Sequence, residues 1–397
     1  MRWLPLRAIR DLAAVSGVTL ALLLLLELAL RAFWPQREAV TYVGHRRALV
    51  KDEVIGWVNN PGADLEVQTP EYRVEYRVNA AGLRDRSLHS RPPHPGSLRI
   101  LLLGDSFTYG HGNNYGDIWP VLLERRLRDS GYDADVVKAG VPGYDTRMEL
   151  TYLERLAPKY RPALVILAFL PNDLFTNTDF AAPVPDIKLI TGAKLPGVVD
   201  GPEAALRAAA GKLDVVVLAD RLLRSVDAIY LRFYLATPRA QYYMSPPNAR
   251  LSAQLSLTEK LLGAGLAYCR SRGVAFAVLS IPQQFQVLAE AHGPIKGIDP
   301  GLSDRTLSRF AAAKGFAWMP ALPMMAAAYR ADGENLFYRR DGHLNPRGNQ
   351  LVAQYLAGQL IARGLLARAG PPSVPGSGLS PARNTSVGRE ERPAREP

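Results

Sequence analysis

Leu98–Gly110 reads LRILLLGDSFTYG. A short apolar run that ends in Gly and turns polar at once predicts a strand buried on both faces. Outward from it the same rhythm repeats. DIWPVLLERRLRDSG has helical spacing, ADVVKAG reads as a strand, TRMELTYLERLAPKY as a helix and ALVILAFL as another buried strand. Further on, LSLTEKLLGAGLAYCRSRG is helical and VAFAVLSIP a strand; SDRTLSRFAAAKG is helical, FAWMPAL a short strand and NPRGNQLVAQYLAGQLIARG a helix. Strands alternating with helices predict an α/β fold, a parallel sheet with helices on both faces.

Ligands of such sheets sit beyond the carboxyl ends of the strands. The residues that follow each apolar run are therefore the candidates. GDSFTYG puts Ser106 at the first strand end. KAGVPGYDT follows the second, with Gly140 and Gly143. PNDLF follows the third, with Asn172 and Asp173. DGHLN, with Asp341 and His343, precedes the last helix. These are the parts of acyl transfer. A serine hydroxyl is a weak nucleophile without a base. His343 is placed to take the Ser106 proton, and Asp341 to hold the imidazole in the right tautomer. The charge that develops on a carbonyl oxygen needs donors, and the backbone N–H groups of Ser106 and Gly143 and the Asn172 amide supply three. A glycine suits position 143, where backbone has to approach a substrate closely. A structural account of the last stretch stands beside this one: Asn345 before Pro346 caps a helix.

The combination resembles the SGNH/GDSL hydrolase family. GDSFTYG is similar to its first block, with Ser106 as nucleophile. GVPGYDT is similar to the second, whose oxyanion-hole glycine falls on Gly143. PND is similar to the third, with its oxyanion-hole Asn on Asn172, and DGH to the fifth, with His343 as base and Asp341 as its acid. The resemblance runs from about Leu98 to Leu366 and implies a three-layer αβα, flavodoxin-like sheet. The anchor-like first segment, NAAGLRD and RILLLGDSFTYG are also similar to membrane-anchored bacterial members. Two positions depart from the pattern. Leu170 stands where the third block usually has Gly, and the acid lies two residues before the His where three are usual. A neighbouring carboxylate or a backbone carbonyl is therefore an alternative partner for His343.

Composition fits a globular chain: of 397 residues, 48% are hydrophobic and 21% charged. The net charge of +11 comes from 39 Arg against 9 Lys. The arginines are scattered, with no basic block interleaved with aromatics, so no nucleic-acid partner is expected. The single cysteine, Cys269, excludes an internal disulfide and a multi-cysteine zinc site. It reads as a small buried apolar residue. Asp105 reads as shaping its turn and His111 as a loop residue at the rim. GHGNNYG is not a dinucleotide fingerprint, because its last Gly comes one residue late. No cofactor and no metal are expected.

The chain opens with MRWLPLRAIRDLAAVSGVTLALLLLLELALRAFWPQR. Leu12–Trp34 is long enough to cross a bilayer core of ~30 Å at about 1.5 Å per residue. Glu27 and Arg31, at i and i+4, can pair on one face. Bulky residues follow where a cleavage site would need small ones, which favours an uncleaved anchor over a removed signal. Basic residues are nearly balanced across it, so the positive-inside rule decides little. The shortness of the preceding segment favours an inside amino terminus, with the rest on the periplasmic or extracytoplasmic side of a bacterial inner membrane.

The expected divisions are therefore 1–37, a membrane anchor; 38–97, a β-rich lead-in ending in the linker-like SRPPHPGS; 98–368, the catalytic domain, with a cap-like insertion at about 175–250; and 369–397, a disordered Pro/Ser/Gly/Arg tail. Within the insertion, LDVVVLADRLLRSVDAIYLRFYLATPR reads as one helix. Tyr230, Phe233, Tyr234, Tyr242 and Tyr243 are candidates to line a pocket for a lipid or a sugar ring. The leading functional reading is a membrane-anchored serine esterase acting on an acylated small molecule, lipid or glycan. An O-acyltransferase modifying a polysaccharide uses the same site. A catalytically inactive polysaccharide-binding module is the third reading, against which Ser106, Asn172 and His343 argue. Neither the acyl chain nor the oligomeric state is legible.

Overall fold

The apolar run at Leu98 is a strand, and all seven of its residues are buried. The computed structural model describes residues 6–34, 41–44, 48–89, 92–93, 96–182 and 213–366. Helix α1 (Leu6–Phe33) comes first. Five short strands follow: β1 (Thr41–Gly44), β2 (Leu49–Asp52), β3 (Gly56–Asn59), β4 (Asp64–Gln68) and β5 (Arg73–Arg77). Then come β6 (Leu98–Gly104), α2 (Ser106–Tyr109), α3 (Trp119–Asp129), β7 (Ala134–Gly140), α4 (Thr146–Tyr160), β8 (Leu164–Phe169) and α5 (Asp173–Thr176). After the break in description come α6 (Asp214–Ser225), α7 (Asp227–Leu235), α8 (Ala249–Arg270), β9 (Ala275–Ser280) and α9 (Gln284–His292). The chain closes with α10 (Leu302–Lys314), β10 (Ala317–Pro320), α11 (Leu322–Asp332) and α12 (Pro346–Ala362).

The main sheet has the order β10-β9-β8-β6-β7, parallel throughout. Counted within this sheet the order is 2-1-3-4-5, the flavodoxin-like arrangement, so the strand order reverses between β6 and β8. Alternation along each strand feeds two cores. Ile100, Leu102, Ile166 and Leu279 face a layer containing Trp119 and Leu123 of α3, Phe285 of α9, Met325 of α11 and Leu356 of α12. Leu101, Leu103, Leu167 and Val278 face the opposite layer, with Met148 and Leu153 of α4, Leu262 of α8 and Leu307 of α10. The fold is the expected three-layer αβα sandwich.

The lead-in is antiparallel, β1-β4-β5 in one small sheet and β2-β3 in another. The segment after β5 clamps onto edge strand β7. His89 bridges Asp85 at 2.9 Å and Asp135 at 2.6 Å, and Lys138 of β7 reaches Asp85 at 3.1 Å and Glu124 at 2.8 Å. Charges that are buried this deeply are tolerated because each has a partner. The clamp also covers an edge that would otherwise be open.

Two elements differ from the sequence reading. LDVVVLADRLLRSVDAIYLRFYLATPR is two helices, because Val226 between α6 and α7 takes an extended backbone with φ −102° and ψ 111°. Asp227 then opens α7 with its carboxylate held by His292 at 2.8 Å, Arg339 at 3.0 Å and the Tyr329 hydroxyl. Helices α9 and α11 were not expected. Their short apolar runs sit directly after strands β9 and β10, and they pack into the core through Phe285, Leu288 and Met325. The tail 369–397, residues 183–212 of the insertion and parts of the first two expected segments lie outside the described residues. Among the described residues one helix, Ala14–Phe33, is long and apolar enough to cross a membrane, by length and composition alone.

Gly140, at the end of β7, lies against the backbone of α2. A Cβ there would stand 2.3 Å from the Tyr109 nitrogen and 2.6 Å from the Thr108 carbonyl carbon, neither of which can swing away. Gly140→Ala is expected to cost about 2–3 kcal/mol through overpacking, read as a lower urea midpoint at unchanged slope. An unchanged midpoint would show that α2 has room to move.

Candidate active site

Everything at the carboxyl edge is built around α2, a helix of one turn. Asp105 caps its start, the carboxylate accepting from the Phe107 N–H at 2.8 Å, and Gly110 closes it in the left-handed region at φ 82°. Arg84, from NAAGLRD, caps the other end. Its guanidinium is 2% exposed and donates to the carbonyls of Tyr109 at 2.7 Å, Gly110 at 2.8 Å and Asn113 at 2.6 Å. It also stacks over the rings of Tyr76 and Tyr109. Ser106 thus stands at the first position of a helix fixed at both ends, half-buried and accessible.

His343 comes to Ser106 from 237 residues away. It sits in a tight turn in which Tyr338 and His343 bond through their backbones, Gly342 takes φ 83°, and Phe337 pairs with Leu344. Asn345 caps α12 through the Gly348 N–H at 2.9 Å, so the structural reading of that residue holds beside the chemical one. The imidazole Nε2 lies 2.7 Å from Ser106 Oγ, and Nδ1 lies 2.5 Å from Asp341 Oδ1. Two residues of spacing are therefore enough for Asp341 to reach the ring, because the left-handed Gly342 folds the chain back. Asp341 Oδ2 accepts from the Tyr72 hydroxyl at 3.0 Å. That hydroxyl also lies 3.1 Å from His111 Nε2. Its one proton goes to Asp341, so the His111 ring N–H donates to its oxygen. Glu71 accepts from the backbone N–H groups of Arg340 and Asp341.

Burial, the largest influence, pushes the His343 pKa down; the bond to Asp341 works against it, and the nearby His111 reinforces it. The net position is below the ordinary histidine value. Burial alone would raise the Asp341 carboxyl. The His111 imidazole 3.6 Å away and the bond with His343 outweigh that and hold it well below the ordinary carboxylate range. The acid is charged and the imidazole neutral near neutral pH, so Nδ1–H donates to Asp341 and Nε2 accepts from the serine hydroxyl.

The other two predicted residues sit on the neighbouring loops. Gly143 is exposed, with φ 81°, in a Val141–Tyr144 turn closed by a backbone bond of 3.2 Å. The carbonyl of Pro142 accepts from the Trp57 indole N–H at 3.0 Å. That carbonyl shares a planar trans peptide with the Gly143 N–H, which must point the opposite way. Trp57 therefore fixes the direction of this donor. Asn172 begins α5 beyond β8. One N–H of its amide reaches Asp105 Oδ2 at 3.5 Å, and its oxygen accepts from Gln283 Nε2 at 3.4 Å. The Gln283 oxygen accepts in turn from the Tyr243 and Tyr234 hydroxyls at 3.0 and 3.2 Å. Gln283 thus orients the Asn172 amide, with oxygen towards Gln283 and nitrogen towards Asp105. Leu170 is fully buried at the position where the resemblance leads one to expect Gly.

Sequence reasoning missed Tyr72, Glu71, Arg84, Trp57 and Gln283. None lies in a chemical motif, and four of them come from the lead-in. His111 was read as a rim residue, yet its ring packs on His343 with centroids 4.5 Å apart. The five aromatics do not line one pocket. Tyr234 stacks on Phe285, Tyr242 and Tyr243 are buried, and Phe233 is 58% exposed. Cys269 is buried, and burial pushes its thiol up to about 12, which makes it inert. Among the described residues, ligand-type side chains converge at His111, Asp341 and His343, within 4.8 Å of one another. All three are engaged in the hydrogen bonds just described.

Residues 102–280 match the model of the GDSL-like lipase/acylhydrolase family. Esterase TesA of Pseudomonas aeruginosa is 36% identical over 74 residues, 19% of this chain and 37% of that protein. An arylesterase of Vibrio mimicus is 32% identical over 77 residues, again 19% of this chain and 38% of that protein. The matched stretches thus span little more than a third of these relatives. A solved structure of a lipolytic protein of the G-D-S-L family from Desulfitobacterium hafniense is 12% identical, with a TM-score of 0.38, over 66% of this chain and 99% of that one.

Beneath the site four carboxyl groups are buried. Burial pushes Asp105 and Asp145 each up to about 6. Glu149 and Asp173 are raised well above the ordinary range, by burial first and then by repulsion from neighbouring acids. Among the described residues neither oxygen of Glu149 has a hydrogen-bond partner, so only its neutral form belongs there. A raised folded pKa means that this group's stabilisation is complete below the unfolded value and is lost as pH rises through the folded one. Glu149→Gln removes the penalty. Its unfolding free energy relative to the unmodified chain should therefore climb as pH rises above the ordinary carboxyl range, by up to about 1.4 kcal/mol per pH unit. A difference that stays flat with pH would show that Glu149 is not held protonated.

Proposed function

Since this chain belongs to the GDSL-like lipase/acylhydrolase family, we propose that it is a serine esterase that cleaves carboxylic esters through an acyl-serine intermediate. The observation that carries the reading is the unbroken relay from Ser106 Oγ through His343 to Asp341, at 2.7 and 2.5 Å. In the first step Ser106 Oγ attacks the ester carbonyl carbon and its proton passes to His343 Nε2. Asp341 stabilises the imidazolium. The carbonyl oxygen becomes an oxyanion, received by the N–H groups of Ser106 and Gly143 and the free N–H of Asn172. One such donor is typically worth about 3 kcal/mol of barrier. The tetrahedral adduct collapses, the C–O bond to the alcohol breaks, and His343 returns the proton to the leaving oxygen. Water then repeats the sequence on the acyl-serine, with His343 as its base, and frees the acid and Ser106.

Tyr72, His111 and Glu71 hold Asp341, while Trp57 and Gln283 hold the donors. The lead-in is on this reading part of the catalytic machinery. The apolar span Ala14–Phe33 favours a single-pass membrane anchor with the catalytic domain on the extracytoplasmic side. The resemblance to anchored bacterial members points to an acylated glycan or lipid of the cell envelope as substrate class.

A fluorophosphonate probe needs no knowledge of that substrate. Ser106 should carry the adduct by mass spectrometry, and His343→Ala should slow labelling by at least about a thousandfold. The rate should rise with pH through a midpoint below the ordinary histidine value of about 6.5, because His343 acts only when neutral and burial lowers its pKa. Labelling of another residue, or a midpoint well above that value, would remove His343 as the base.

Gln283→Leu should lower kcat on a small ester by about tenfold while KM moves little, because a misdirected Asn172 loses a donor used only in the transition state. A change confined to KM would place Gln283 in substrate binding instead.

A further inference from the structure

Helix α6 (Asp214–Ser225) leaves an apolar face open. Its outward face carries Val216, Ala219, Leu222, Leu223 and, at its end, Val226. Leu222 is 60% exposed and Val226 47%. The side chains of Asp220 and Arg224 pair at 2.8 Å on the flank of that face, 43% and 42% exposed, and the Arg224 carbonyl accepts from Arg339 at 3.1 Å. A helix whose open face is a run of valine and leucine, with its charged pair confined to the flank, implies an apolar medium over that face.

The start of α6 is fixed to α1. Glu27, which interrupts the apolar run of α1, is 5% exposed. One of its oxygens accepts from the Val215 N–H at 2.9 Å and the other from Arg31 Nε at 2.6 Å. A carboxylate there satisfies an orphan N–H of the first turn of α6 and suits the positive end of its dipole. This explains why an acid is tolerated within a run of leucines. The outward leucines of α1, among them Leu24, Leu25 and Leu28, are open, so the apolar surfaces of the two helices join at Glu27. Glu27 precedes Trp34 by seven residues, roughly 10 Å of helix. The junction therefore lies just inside the boundary that Arg31 and Trp34 mark. Past the end of α6 the exposed Phe233 stands between exposed Arg232 and Arg239.

We infer that α6 is a second membrane element, lying in the interfacial layer of the leaflet from which α1 emerges, with its apolar face among acyl chains of an anionic phospholipid bilayer. Phe233 sits at the same boundary, and Arg232 and Arg239 meet headgroup phosphates. The inference rests on the reading of Ala14–Phe33 as a span. Its consequence is a fixed seat for the active site. Asp227 ties α7 to α9, α11 and Arg339, and Arg339 lies four residues before His343. Through Tyr234, Tyr243 and Gln283 the same region reaches Asn172. The substrate it favours is an ester held at the membrane surface rather than one free in solution.

The test uses the full chain reconstituted into vesicles of phosphatidylcholine and phosphatidylglycerol. Leu222→Cys is labelled with nitrobenzoxadiazole; Cys269 is buried and stays unlabelled. Leu23→Cys in α1 and Ser130→Cys, at the opposite edge of the sheet, are labelled likewise. The label at 222 should lose its fluorescence to a spin-labelled lipid and keep it against iodide, as should the label at 23, while the label at 130 responds to iodide alone. Quenching of 222 by iodide with 23 still lipid-quenched would overturn the inference and leave the anchor intact. Shielding of 222 from both quenchers would overturn it as well, because protein would then cover this face. If 23 is itself open to iodide, the span and the inference fall together. None of these outcomes depends on esterase activity, so they are separable from failure of the proposed chemistry.

Discussion

A helix of four residues has no stability of its own. Ser106 nevertheless sits on one, and most of what surrounds it exists to hold that single turn. Gly104 and Gly140 let it lie directly on two strand ends, where a Cβ at either position would collide with it. Asp105 accepts from the Phe107 N–H of its first turn, and Arg84 holds the carbonyls at its end. Arg84 is buried because it stands in for the missing next turn: the carbonyls of Tyr109, Gly110 and Asn113 converge on one guanidinium.

The same economy of anchoring explains the lead-in. Residues 48–89 close the back of the site rather than hanging beside it. Trp57 fixes the Pro142–Gly143 peptide, and Asn59 donates to the Gly140 carbonyl at 3.0 Å. Tyr72 bridges Asp341 and His111. The His89, Asp85 and Lys138 cluster then fastens the segment to β7. Buried ion pairs contribute little net stability, but losing one member leaves a bare charge, so the arrangement fixes one register rather than many.

Electrostatics divides the site into two halves. Asp341 stays charged because two imidazoles and a phenol face it. Asp105, Asp145, Glu149 and Asp173 are packed deeper, and burial pushes each of them up. Carboxyl groups in one small region are thus shifted in opposite directions by environment alone.

The sequence by itself determined the layered α/β fold, because buried parallel strands and amphipathic helices write different periods. It also marked out the candidate chemical groups, since Ser106, Gly143, Asn172 and the Asp341–His343 pair each fall where a strand ends or a helix begins. It foresaw Asn345 as a cap for the same local reason. What the tertiary structure decided was every relation that crosses the chain. The break at Val226, the role of Arg84, the packing of His111 on His343 and the link from Gln283 to Asn172 leave no local signature, because each depends on a partner tens or hundreds of residues away. Glu27 is the plainest case. In sequence it is an interruption in a run of leucines; in the fold it is the acceptor for the first turn of a helix 188 residues further on.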